Sequence, residues 1–300
     1  MIQIGRKLGI IAVIWWASSA SWAGETPLVT IEPRTVKPGD YFVITVQPGE
    51  GEMISRLRAS VLDFSPKFHE IDGAFYGVAA VGTRAPSGCC EVDVKMDVGG
   101  REFEVTQFIT IGQRDFARQL LTAPKKKRVL LKPKILLNDG MRINAAIETT
   151  NPRPLWHGSF LQPVEGRITT KFGTVRSIDG KPGYRHLGVD IAAKEGTPIK
   201  ATNAGRVVLA EELTRYGNTV VIDHGVNVFS VYLHLSLISV AVGDEVKKGG
   251  IIGDVGSTGF VTGAHLHWTM RVGKIAVRPW NFIKVPPLIP LSVDRSALPD

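Results

Sequence analysis

The chain has 300 residues, is 44% hydrophobic and 21% charged, and carries a formal net charge of +8 at pH 7. That composition excludes a disordered chain, and the length admits two ordinary domains with a sizeable core. The surplus of positive charge suits an anionic envelope polymer as a partner, and it also suits plain solubility.

The first residues differ in kind from the rest. Arg6 and Lys7 precede an unbroken apolar run over residues 8–17, and the small-residue stretch SSASWAGE comes next. Basic, apolar, then small is the order of a secretory signal, and cleavage after Ala23 places Ser21 and Ala23 at the two small positions. The apolar run is too short against the ~20 residues of a membrane helix, and no later segment is long and apolar enough to span a bilayer. The expectation is an exported protein, not an integral membrane protein, with residues 1–23 removed as a signal peptide. Its mature charge is then +6, since Arg6 and Lys7 leave with the signal. The periplasm is the expected location, with secretion or wall association as the alternative. Nucleic acid is a poor partner for an exported protein.

Residues 24–112 read as a run of short strands, among them YFVITV, AFYGVAAV, CEVDVKM and REFEVTQFITI. Turn signals separate them, such as Pro38-Gly39-Asp40, Asp72-Gly73 and Gly99-Gly100. Short, evenly spaced strands with this punctuation predict a β-sandwich of immunoglobulin-like shape. The two cysteines, Cys89 and Cys90, are adjacent. Neighbouring Cα atoms lie about 3.8 Å apart, below the usual disulfide span of about 4.4–6.8 Å. Cys90 therefore reads as a small core residue on the face of Val92, Val94 and Met96. His69 is isolated and reads as structural or exposed.

Residues 113–155 change character. The basic stretch APKKKRVLLKPK is broken by prolines, and DGMRINAAIETT suits a short helix. The segment reads as a connector that packs on the second domain. Its basic run at 125–128 is either a solvated stretch or a contact for anionic envelope polymers.

Residues 156–285 return to strands with glycine-centred turns and no long helical period, and residues 286–300 form a tail. The predicted class is all-β: a sandwich, a short helical or irregular connector, and a second β-rich domain.

The chemistry lies in that second domain. In YRHLGVDIAA, His186 and Asp190 are four apart, and on one strand positions i and i+4 share a face. In GAHLHW, His265 and His267 are two apart and share a face by the same rule. Imidazole and carboxylate are both zinc ligands, and catalytic zinc sites use three protein ligands with the fourth position open. His186, Asp190 and His267 make such a set. His234, in VYLHLS, and His265 then remain as histidines beside the metal, able to exchange protons near neutral pH. The signature HExxH is absent, and no glutamate stands where its general base would be. His224, in IDHG, falls outside this set.

The domain resembles the lysostaphin-like, LytM-type zinc metallopeptidases that cut peptidoglycan peptides. The stretches GRITTKFGTVR, HLGVDIAAKEGTPIKATNAGRVV, YGNTVVIDHG, VYLHLS, VGDEVKKGGIIGDVGSTGFVTGAHLHW and GKIAVRPWNFI carry the likeness, in family order, over roughly residues 164–283. The resemblance implies one Zn2+ per chain on His186, Asp190 and His267, with His234 and His265 in acid/base and oxyanion roles. It also implies that an upstream segment, here residues 113–155, covers the groove. Two other readings compete. A non-catalytic relative that binds the wall or activates another hydrolase usually lacks ligands, whereas all five residues are present here. A biotinyl- or lipoyl-carrier domain shares the glycine-turn strands and has no use for a His/Asp cluster.

Overall fold

A computed structural model describes residues 26–123 and 125–290. The expected signal peptide and the last ten residues of the tail lie outside the described residues. Strands dominate, and the helical segments are few and short.

The first domain is built of two four-stranded sheets. One runs Leu28–Glu32, Tyr41–Gln47, Ala74–Ala80, Phe68–Ile71, and the other Thr35–Val36, Arg101–Ile111, Gly88–Val98, Ile54–Ser60. They enclose a core that includes Phe42, Ile44, Val92, Val94 and Ile109. In Gly88–Val98, Val92, Val94 and Met96 point into that core, as the period of two requires. Cys90 packs against the core and Cys89 is exposed, and no disulfide joins them.

Tyr41–Gln47 shows why the alternation fails elsewhere. Its first four residues are all buried. Phe42 and Ile44 face the sandwich core, whereas Tyr41 and Val43 enter a second core with Trp268, Met270 and Phe282 of the second domain. A sheet covered on both faces needs apolar side chains on both, so YFVITV is a continuous hydrophobic run. Polar bonds fix the same junction: Arg278 donates its backbone N–H to Gly39 O at 2.7 Å, and the Asn281 side chain donates to Asp40 at 2.7 Å.

The second domain is organised by an eight-stranded sheet. Its order is Arg167–Thr170, Val189–Ala192, Leu266–Val272, Val228–Leu235, Gly217–Asp223, Gly205–Leu213, Glu245–Val246, with Ile275–Val277 also paired to Leu266–Val272. Val228–Leu235 is central and buried along its whole length.

Between the domains, Arg118–Leu121 runs parallel to Val175–Ile178, so this part of the connector is a strand of the second domain's small sheet. The helix spans Pro133–Ala146, beginning earlier than DGMRINAAIETT suggests, because proline at its first position needs no hydrogen-bond donor there. Lys125–Leu131 is a 3-10 helix. Among the described residues no helix is long and apolar enough to cross a membrane.

Candidate metal centre and its groove

Sheet register brings the expected ligands together. Val189–Ala192 pairs antiparallel with Leu266–Val272 so that Asp190 stands opposite His267, and Leu233 stands opposite His267 on the other side. His186 arrives differently. The strand Lys181–Arg185 ends just before it and the next begins at Val189, so His186 and Asp190 do not share one continuous strand as their spacing suggested. The chain bends through His186-Leu187-Gly188, and the bend turns the imidazole inward. Gly188 makes this possible. A Cβ there would lie 2.4 Å from Thr269 Oγ1, 2.6 Å from His267 Nε2 and 2.6 Å from Trp268 O.

The three side chains converge. His186 Nε2 lies 2.8 Å from Asp190 Oδ1 and 2.9 Å from His267 Nδ1, and His267 Nδ1 lies 2.9 Å from Asp190 Oδ1. Their opposite edges are already engaged. His186 Nδ1 faces Lys171 O at 3.2 Å, and His267 Nε2 faces Thr269 Oγ1 at 2.9 Å. A carbonyl accepts only from N–H, so the His186 proton sits on Nδ1 and its Nε2 lone pair points at the centre. Two imidazole nitrogens and one carboxylate oxygen, each anchored behind, form a donor set that fits a zinc ion.

Two more histidines face the same place. His265, in a bridge with Gly256 just before the strand, brings Nε2 to 3.6 Å from Asp190 Oδ1. Its Nδ1 faces Gly263 O at 2.8 Å. His234 Nδ1 faces Thr258 O at 3.0 Å, and its ring centre lies 5.1 Å from that of His265 and 6.1 Å from that of His267. In both residues the carbonyl fixes the proton on Nδ1 and leaves Nε2 bare. His234 holds φ at +73°, where two residues of its strand oppose one of Gly217–Asp223. A non-glycine residue held there is strained, and such strain clusters at functional sites.

Electrostatics favour the ligand forms. Burial lowers the His267 pKa to about 4, despite the Asp190 bond that opposes it. Burial, then the charges of His265 and His267, hold His234 well below the usual histidine range. Burial alone would raise Asp190, but the His186 and His267 rings against its Oδ1 outweigh it and keep the carboxyl well below the usual range. At neutral pH His234 and His267 are thus neutral imidazoles and Asp190 is a carboxylate.

Arg176 was not singled out by the sequence, and it is central here. Its Nη2 donates to Asp190 Oδ2 at 2.6 Å and to Thr170 Oγ1 at 3.0 Å, Nη1 donates to Tyr184 Oη at 3.2 Å, and Nε donates to Gln119 Oε1 at 3.0 Å. No spacing rule points to a residue fourteen positions before a ligand. Thr269 was also missed, although as the next same-face neighbour of His267 it was within reach of the period of two.

All five expected residues line one groove of about 520 Å³. Gln119, Leu121, Leu136 and Ile143 of the connector form part of its wall. The Asp139 carboxylate holds that wall by accepting the backbone N–H groups of Arg215 and Tyr216. His224 lies elsewhere, fully buried between Ala204 O at 2.7 Å and Ser230 Oγ at 2.8 Å. It is a structural residue, and replacing it with alanine would cost stability.

Known proteins share this architecture. The description of peptidase family M23 matches residues 184–279. The peptidoglycan DD-endopeptidase ShyA of Vibrio cholerae is 31% identical over 252 residues, which are 79% of this chain and 56% of ShyA. The DD-carboxypeptidase/endopeptidase Mpg of Neisseria meningitidis is 44% identical over 94 residues, which are 31% of this chain and 22% of Mpg. The crystal structure of a candidate M23 peptidase from Pseudomonas aeruginosa superimposes with a TM-score of 0.56 at 25% identity, covering 78% of this chain and 92% of that one. The chain thus spans about a fifth of Mpg and a little over half of ShyA.

Proposed function

Residues 184–279 are a peptidase family M23 domain, and on that premise we propose that the protein is an exported zinc metalloendopeptidase that hydrolyses peptide bonds in peptidoglycan stems or cross-links. One observation carries the reading: two bare Nε2 atoms, of His234 and His265, face a three-residue N,N,O donor set whose outer edges are all anchored.

In this reading His186, Asp190 and His267 hold one Zn2+. A zinc ion there supplies Lewis-acid polarisation of the scissile carbonyl and lowers the pKa of the attacking water toward ~7. The protein does the rest. The groove seats the peptide. One of the pair His234 and His265 accepts the water's proton as the carbon–oxygen bond forms. The same imidazole returns it to the leaving amine as the carbon–nitrogen bond breaks. A protonated imidazole at the same point donates to the carbonyl oxygen while negative charge builds there. Arg176 fixes Asp190 throughout. Export to the periplasm is supported by the signal-like order of basic, apolar and small residues over residues 1–23.

The test is digestion of defined cross-linked wall fragments with mass analysis of the products, with and without a chelator. Chelator-sensitive release of peptide fragments supports the reading. Intact fragments from folded, zinc-loaded protein oppose it.

A further inference from the structure

Among the described residues four arginines line the groove, Arg176, Arg185, Arg215 and Arg271, and Asp190 is the one acidic residue with them. Arg176 spends its charge on Asp190. Arg271 is used by the backbone, donating to Gly273 O and to Lys274 O, and it reaches Asn144 Oδ1 at 3.4 Å. The other two differ. Among the described residues neither has a carboxylate within ion-pairing distance.

Arg215 is only 4% exposed. Its guanidinium carbon lies over two rings, 5.1 Å from the centre of Tyr184 and 4.6 Å from that of Phe260. Nη1 donates to Leu130 O at 3.3 Å, and among the described residues this is the guanidinium's one hydrogen bond. Asp139 approaches this loop, but its carboxylate accepts from backbone N–H groups instead. Arg185 is half-buried, lies 5.0 Å over Phe116, and its Nη1 is buried with no hydrogen-bond partner.

A buried cation without a counter-charge is costly, and such groups persist where a ligand supplies the charge. A guanidinium held against aromatic rings keeps the planar fork that grips a carboxylate through two parallel bonds. We propose that Arg215, with Arg185 lining the same groove, holds a carboxylate of the bound peptide, so that the site takes acidic peptides. The identity of that peptide as substrate rests on the metallopeptidase reading above; the anion site itself does not.

The probe is the synthetic peptide L-Ala-γ-D-Glu-meso-diaminopimelyl-D-Ala, beside versions in which each carboxylate in turn is a carboxamide. Each is titrated into the intact protein, zinc-loaded and zinc-free, and followed by calorimetry. The zinc-free arm separates the arginines from direct binding to the metal. Converting one carboxylate is expected to weaken binding at least tenfold in both arms. Arg215→Gln should shrink that ratio to within twofold, and Arg185→Gln should reduce it in part, with the melting temperature recorded for each. If Arg215→Gln does not fold, the wild-type comparison in the zinc-free arm decides alone. Equal affinity for acid and amide forms, no measurable binding of either, or an undiminished preference in folded Arg215→Gln would overturn the proposal. Cleavage is scored separately, on defined cross-linked wall fragments. Selective binding without cleavage keeps the anion site and removes the peptidase reading, whereas cleavage with equal acid and amide binding does the reverse.

Discussion

Arg176 Nη2 donates to Asp190 Oδ2 at 2.6 Å, while Asp190 Oδ1 faces His186 and His267. One carboxylate oxygen is therefore pinned by a cation and the other is left for a metal. Partners of this kind set ligand orientation, and losing one typically weakens metal binding ~10–100-fold. Arg176→Met is expected to lower zinc affinity by that factor, measured by competition with a chelator, and Arg176→Lys to recover part of it. Unchanged affinity in Arg176→Met would show that Asp190 is held without it.

Gly188 is the second support. An added methyl would meet the Trp268 carbonyl at 2.6 Å, and that backbone is fixed by the central sheet. Gly188→Ala should displace His186 or His267, reduce bound zinc, and lower stability by about 1–3 kcal/mol, the usual range for overpacking. Normal zinc content with an unchanged melting temperature would contradict the close approach.

His224 gives the acid dependence. Burial lowers its pKa to about 4, against ~6.5 in the unfolded chain. Below pH 6.5 the unfolded chain takes up the proton and the folded chain does not, so this group's contribution is lost as pH falls from ~6.5 toward ~4. The gap amounts to about 3 kcal/mol. His224→Gln does not titrate there, so the wild-type advantage in denaturant unfolding should shrink across that window. Comparing the two proteins cancels the slope that His234 and His267 add to both. A constant difference from pH 7 to pH 4 would place the proton elsewhere.

The connector invites a truncation. A chain beginning near Trp156 removes the wall formed by Leu121, Leu136 and Ile143, and cleavage per folded molecule should rise. It also loses the bond from Arg176 to Gln119 and the Asp139 bonds to the Arg215 and Tyr216 amides, so the melting temperature should fall. Rates equal to or below those of the mature chain, with folding intact, would show that the segment does not limit access.

What could be read in advance depended on whether a feature is local. The period of two placed Val92, Val94 and Met96 inward and set His265 and His267 toward one point, because both patterns need only adjacent residues. The doubly covered face of Tyr41–Gln47 was visible as an apolar run, but nothing local says that its second partner is Phe282, some 240 residues on. The His186–Asp190 pairing was expected on one strand. The structure breaks the strand and meets the same end through Gly188, whose role depends on Thr269 and Trp268 across the sheet. Arg176 and Arg215 were silent for the same reason. Their importance lies in what surrounds them, not in their spacing.

The division of labour within GAHLHW is tested most directly by measuring bound zinc beside hydrolysis of a cross-linked wall peptide in two variants. His267→Ala removes one of the three converging groups, and zinc and activity should fall together. His265→Ala leaves His186, Asp190 and His267 in place. Zinc should stay near one per chain while turnover drops by ~10²–10⁴, the range for a lost proton-transfer or oxyanion group. His234→Ala should match His265→Ala. Loss of zinc in His265→Ala as severe as in His267→Ala, or full metal and activity in His267→Ala, would contradict this account.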